Sequence, residues 1–244
     1  MWNPTNTKGL LYTPPKETQI VLLENDVFCL KKQTPHLISQ GEKLKTITGD
    51  IFVHPRKDIS RHAFDIVAHV PLENYLPGVL AGELYAHWHP ATFASQAVAA
   101  RSYAVVQHLN RRNTNHYDLD DGPSSQMFLG DVTLDVAHRA VAETGGVILS
   151  WKDTVVPAYY CSCCGGFAAT AKDGISSSSQ HNITPLEGRS GRDICTSLDI
   201  HKWDASRSLR TFRRRLNASS TKLNTPELAS IRSIKAIEPT STNR

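Results

Sequence analysis

The chain has 244 residues, 40% hydrophobic and 20% charged, with 27 Lys+Arg against 23 Asp+Glu, a formal net charge of +4 and five cysteines. That length can bury a sizeable core, and the balance excludes wholesale disorder, collagen-like repeats and heptad arrays. So mild a charge permits an anionic partner without arguing for one, since nucleic-acid binders concentrate basic residues on one face or stripe. No apolar run approaches the roughly 18–20 residues that span a bilayer. Met1-Trp2-Asn3-Pro4 does not open a signal peptide, so, read literally, the chain is expected to stay where it is made.

Up to about Asp65, short apolar pieces such as Ile20-Val21-Leu22-Leu23 and Ile51-Phe52-Val53 alternate with Pro, Lys and Gly. They predict a β-rich N-terminal segment over residues 1–65, ahead of a larger domain over 66–244. Ile66-Val67-Ala68-His69-Val70 predicts a strand ended by Pro71. Leu72, Tyr75, Leu76, Val79 and Leu80 then follow helical spacing, with Pro77 predicting a kink or a late start. The clearest helix follows Pro90, whose missing N–H would have no partner in a first turn; Phe93, Ala97, Ala100 and Ala104 form its stripe and the pattern runs to Leu109. So many alanines predict close packing against another element.

A further helix is predicted from Asp131 to Thr144, stopped by Gly145-Gly146. Val147-Ile148-Leu149 and Val155-Val156, flanking Trp151-Lys152-Asp153-Thr154, read as a hairpin whose second arm runs through Tyr159-Tyr160 into Cys161-Ser162-Cys163-Cys164-Gly165-Gly166. The polar tract Ser176–Ser179 predicts a loop, Ala205–Leu216 a helix, and Ile231, Ile234 and Ile237 a last strand. The order of elements predicts an α+β fold: two or three helices on an antiparallel or mixed sheet, with the N-terminal strands as an extension.

Four groups of residues can carry chemistry. Glu83, at the end of an apolar helix beside Gly82 and followed by Tyr85, His87 and Trp88, is placed for partial burial, which would favour its protonated form and suit a general acid; the competing reading is a solvated helix end. Arg101 lies inside the alanine stripe, where a guanidinium must meet a carboxylate, a carbonyl cluster or an anionic ligand. It is either a fixed structural arginine or a binding group. Cys161, Cys163, Cys164, Cys195 and His181 offer zinc-type ligands, but their spacing matches no paired CxxC arrangement; a disulfide from Cys195 to one of the three is expected if the chain is exported. Arg207, Arg210, Arg213, Arg214 and Arg215, interleaved with Leu209, Phe212 and Leu216, give a cationic helix face that is expected to be solvated, with no nucleic-acid partner. No Walker loop, GxGxxG, HExxH or GxSxG is present.

Several stretches in order give a stronger signal than any one of them: Val70-Pro71-Leu72-Glu73-Asn74-Tyr75-Leu76, Gly78-Val79-Leu80-Ala81-Gly82-Glu83, Gln96-Ala97-Val98-Ala99-Ala100-Arg101-Ser102-Tyr103-Ala104, Tyr117-Asp118-Leu119, Ser125-Gln126-Met127-Phe128-Leu129-Gly130 and Ala140-Val141-Ala142-Glu143-Thr144-Gly145-Gly146. With the strand closing on Gly165-Gly166, they make residues 70–166 resemble the sporulation protein D (SpoIID) domain, a family of peptidoglycan lytic transglycosylases and amidase-enhancer relatives. The resemblance implies a catalytic glutamate at Glu83 and a functionally important arginine at Arg101. It also implies a glycan cleft lined by Gln126, Ser162, Gly165 and Gly166. The implied reaction cleaves glycan strands to 1,6-anhydromuramic ends. One carboxyl group suffices for it, because the sugar's own C6 hydroxyl is the nucleophile.

The implied partners are peptidoglycan glycan strands and a cell-wall amidase, the implied place is the cell envelope, and no cofactor is implied. Some relatives hold a metal with Cys and His before the Gln126 segment. Here Asp120-Asp121-Gly122-Pro123-Ser124-Ser125 supplies neither, so no metal is expected there. The alternatives are a non-catalytic amidase enhancer or glycan-binding module, and a two-carboxylate hydrolase recruiting Asp118, Asp120 or Asp121.

Overall fold

A computed structural model describes residues 10–11, 19–23, 27–31, 35–40, 43–164, 166, 168–188, 194–197, 206, 208, 210–212, 214 and 215. The chain divides into two compact units, residues 1–160 and 161–244. The first begins with β1 (Leu10–Leu11), β2 (Gln19–Leu22), β3 (Phe28–Lys31), β4 (His36–Gln40), β5 (Lys43–Ile47), β6 (Asp50–Pro55) and β7 (Phe64–His69). They form two antiparallel sheets, ordered β1-β4-β5 and β2-β3-β6-β7. Leu30 of β3 faces Ile51 of β6, which faces Ala68 of β7, and directly opposed residues share a face. This apolar row meets Ile38 of β4 and Ile47 of β5 in the core. The predicted α+β class is the observed one, with strands filling the N-terminal region.

Three helices close that core: α1 (Leu72–Glu83), α2 (Pro90–Arg111) and α3 (Asp135–Glu143). α1 starts directly after Pro71 and runs through Pro77 without the late start. An interior proline costs about 3 kcal/mol through its lost N–H and its ring. Leu76, Val79 and Leu80 are completely buried around it, each worth roughly 1.5–3 kcal/mol, so packing wins over propensity. On α2, Pro90 occupies the first turn and the His89 ring accepts the Ala91 N–H; Phe93, Ala97 and Ala100 lie fully buried. The small alanines let α2 approach Ala137, Ala140 and Val141 of α3 within the same cluster.

α3 starts four residues later than the periodicity predicts. Asp131 is held elsewhere: its N–H donates to the Thr46 carbonyl at 2.6 Å and its carboxylate accepts from the Thr48 hydroxyl at 2.7 Å, which ties the would-be first turn to the end of β5. The hairpin is present but shorter and closer to its turn than predicted, as β8 (Ser150–Trp151) and β9 (Thr154–Val155), and the predicted second arm through Tyr159-Tyr160 is not a strand. Lys152 and Asp153 have φ of 46° and 62°, the left-handed pair of a tight two-residue hairpin turn. Ser102 of α2 anchors it by accepting the Leu149 N–H at 2.9 Å.

In the second unit, α4 (Ala171–Gly174) is a single turn capped by Thr170, whose hydroxyl accepts the Asp173 N–H. Short 3-10 turns follow at Ser179–His181, Thr184–Leu186 and Ile194–Ser197. Buried His181 spends Nδ1 on the carbonyl and hydroxyl of Ser176. Of the helix predicted from Ala205 to Leu216, residues 210–212 and 214–215 are helical and Ser206 and Ser208 are not; its other residues, and the isoleucine strand, lie outside the described residues. Among the described residues no helix is long and apolar enough to cross a membrane.

Candidate functional site

The site forms where α1 ends. Gly78 and Gly82 lie one helical turn apart, and together they let residues 127–130 press directly on the helix. A Cβ at Gly82 would sit 2.5 Å from the Met127 carbonyl oxygen, and one at Gly78 would sit 2.2 Å from that of Gly130. The close approach puts the Met127 N–H 2.8 Å from Oε1 of Glu83, the last residue of α1. Gly82→Ala must therefore push the Met127 segment away. We expect it to cost about 1–3 kcal/mol in urea unfolding and to lower any Glu83-dependent activity.

The Tyr160 hydroxyl, 3.5 Å from Glu83 Oε1, is the second donor to the carboxylate. Tyr160 is itself held by Gln126, whose Nε2 donates to the phenol oxygen at 3.1 Å and to the Ala100 carbonyl at 3.3 Å. Oε1 of Gln126 accepts from the Tyr75 hydroxyl at 3.2 Å. A fully buried amide thus orders two tyrosines, one of which points at the glutamate. Burial, with the negative charge of Glu83 added, pushes the Tyr160 phenol well up, against a lowering bond from Gln126, so it stays an O–H donor. Tyr75 is raised likewise, chiefly by burial. Oε2 of Glu83 carries no hydrogen bond among the described residues.

Beyond Glu83, residues 84–89 carry an aromatic group on the outside of the molecule. Tyr85 is 67% exposed and Trp88 41%; Tyr85 meets Trp88 edge-on at 5.4 Å and His87 face-on at 5.8 Å. Glu83 itself is half-buried, as its position in the sequence suggests, while these rings cluster with one another on the exposed side.

Arg101 is turned away from this centre. It is 1% exposed, and its fork grips Glu73 of the first turn of α1, with Nε to Oε1 and Nη2 to Oε2 each 2.8 Å. Nη1 donates to the Val147 carbonyl at 3.0 Å, and Nη2 also reaches the Val141 carbonyl at 3.4 Å. Thr144 Oγ1 and the Ala97 carbonyl complete the shell at 3.5 Å. With five N–H groups to place, the guanidinium has protein acceptors for all of them. Glu73 and Glu83 stand about 15 Å apart along the helix axis. Arg101 therefore clamps α1 to the end of α3, and Glu73 is the partner that the sequence could not name.

A cavity of about 1320 Å³ opens elsewhere in this unit, between β7, the C-terminal half of α2 and residues 115–121, and Glu83 is not among its walls. Its three loop carboxylates are already engaged. Asp118 bonds His108 at 2.9 Å, Asp121 pairs with Lys45, and Asp120 accepts from Ser124, Ser125 and the Gly122 N–H. Burial would raise Asp120, but those bonds outweigh it and hold the carboxyl below the usual range, as an ionised acceptor and not an acid.

Of the other expected site residues, Ser162 is exposed and Gly166 buried, both in the second unit, and Gly165 lies outside the described residues. Tyr160 and the Met127 N–H were missed by the sequence reading; the tyrosine read only as the arm of a hairpin.

A comparison with known families supports a cell-wall-related role for the domain around this carboxylate. Residues 60–151 match the family model of SpoIID, the stage II sporulation protein family, and the match takes in Glu83, Arg101 and Gln126. The family resemblance read from the sequence is thereby supported. An uncharacterised protein of Brachyspira hyodysenteriae is 30% identical over 160 residues, 64% of this chain and 42% of that relative. The chain thus spans less than half the length of that relative.

Proposed function

We propose that the protein is a peptidoglycan lytic transglycosylase that cleaves glycan strands to 1,6-anhydromuramic ends, with Glu83 as its single acid and base. The observation that carries the reading is the asymmetric hold on Glu83: Oε1 takes the Met127 N–H and the Tyr160 O–H, while among the described residues nothing bonds Oε2, the oxygen we assign to the substrate. In the acid step the Glu83 carboxyl gives its proton to the glycosidic oxygen. In the second step the carboxylate takes the proton of the C6 hydroxyl as that oxygen closes on C1, which returns Glu83 to its starting state. The exposed Tyr85 and Trp88 offer flat apolar faces on which hexosamine rings can lie. Ser162, Gly165 and Gly166 are assigned glycan contacts by family resemblance. Gln126 acts through Tyr160, and Arg101 by positioning α1.

The test is incubation of the full chain with peptide-free glycan strands, followed by mass spectrometry for anhydromuramic ends. Reducing ends without the anhydro ring would point to hydrolysis, and tight glycan or amidase binding with no product at all would point to a binding module. Tyr160→Phe deletes the hydroxyl while leaving the ring against Tyr103. A single neutral hydrogen bond is worth about 0.5–1.5 kcal/mol, so kcat should fall roughly 2–10-fold with KM little changed. An unchanged kcat removes Tyr160 from the mechanism.

A further inference from the structure

Four of the five cysteines fall in the second unit: Cys161, Cys163, Cys164 and Cys195. Within that unit the Sγ atoms of Cys164 and Cys195 lie 2.8 Å apart, across 31 residues of chain. That is within about 1 Å of the covalent sulfur–sulfur length. The Gly166 N–H donates to the Cys195 sulfur at 3.1 Å, which fixes it against the Cys164 turn. Cys195 is buried and Cys164 half-buried, so a reagent from solvent meets Cys164 first. The hydrogen bond with Cys164, then burial, pushes the Cys195 thiol up to about 11.

We infer that Cys164 and Cys195 are a disulfide-forming pair, oxidised by exchange with an external disulfide of the glutathione or dithiol-oxidase class. Cys164 loses its proton to solvent and its thiolate attacks one sulfur of the external disulfide, expelling one thiolate and leaving a mixed disulfide. Cys195 then loses its proton and attacks the Cys164 sulfur, expelling the second thiolate. The protein gives up two electrons and two protons, and the external disulfide takes them up as two thiols. The bond closes residues 161–166, which carry Ser162 and Gly166, onto the 3-10 turn Ile194–Ser197. Such pairs persist in oxidising compartments, so the pair also marks where the chain works. Cys163, which touches the Cys195 sulfur as well, is the rival partner.

The full chain is incubated with oxidised glutathione, remaining thiols are alkylated under denaturing conditions, and peptides are mapped by mass spectrometry. Alkylatable thiols should drop from the five of the sequence to three. A linked peptide containing Cys195 should appear, persist in Cys163→Ser and vanish in Cys164→Ser. Alkylation of Cys195 in the oxidised wild-type chain overturns the pairing, as does a link that is lost in Cys163→Ser. Thiol mapping reads the pair whether or not the chain cleaves glycan, so the two proposals fail separately.

Discussion

Glu83→Gln is expected to lower the rate of anhydro-end formation by about 10²–10⁴-fold with the fold intact. Glutamine keeps the side chain's length and its oxygen, so the Met127 N–H and the Tyr160 hydroxyl still have their acceptor, and the end of α1 stays seated on residues 127–130. What it loses is the proton that a carboxyl gives to the glycosidic oxygen and the anionic base that takes one from the C6 hydroxyl. The alternative carboxylates Asp118, Asp120 and Asp121 line a cavity whose walls do not include Glu83 and are spent on His108, on Ser124 and Ser125, and on Lys45. The loss should therefore fall on kcat, with glycan affinity retained, because Tyr85 and Trp88 are untouched. Initial rates by mass spectrometry, with circular dichroism as the check on folding, decide it. A variant that turns over at the wild-type rate removes Glu83 from the chemistry and assigns the acid to another residue.

The elements legible in the sequence were those whose signals are local. Pro90 and the alanine stripe define α2 because one residue sets the first turn and a repeated small side chain sets the face. Gly145 and Gly146 end α3 for the same kind of reason, whereas its start was misjudged because Thr46 and Thr48, far back in the chain, hold Asp131. The site divides in the same way. Glu83 was legible from its place after Gly82 in an ordered set of motifs. Tyr160 was not, since only the fold carries it to a carboxylate 77 positions away. For Arg101, elementary electrostatics required an acceptor set but could not choose between a ligand and the protein. The family resemblance favoured the ligand, and the structure supplies Glu73 together with the carbonyls of Val141 and Val147.

Arg101→Ala should be the most destabilising single change in the first unit, costing about 3–5 kcal/mol in urea unfolding. It strands the carbonyls of Val141 and Val147, which the guanidinium now serves, and opens a void beneath the fully buried Ala97 and Ala100. Arg101→Met refills the volume but supplies no donor, so it should recover only part of the loss. Arg101→Lys keeps the charge but cannot span both Glu73 oxygens and two carbonyls from one nitrogen. The Glu73 end of the pair is different, because its side chain is 46% exposed and solvent screens it. The hydrogen bond from Arg101, working against burial, holds the Glu73 carboxyl below its ordinary value of 4.5. A lowered folded-state pKa stabilises fully above the unfolded value and is lost as pH falls through the folded one. The stability gap between wild type and Arg101→Ala should therefore be widest near neutrality and narrow in acid below about pH 4.5. The narrowing should be modest, because most of the clamp's strength lies in the buried carbonyl bonds, which do not titrate. A gap below about 1 kcal/mol at neutral pH would mean that the clamp does not hold α1, and the positioning role of Arg101 would fall with it.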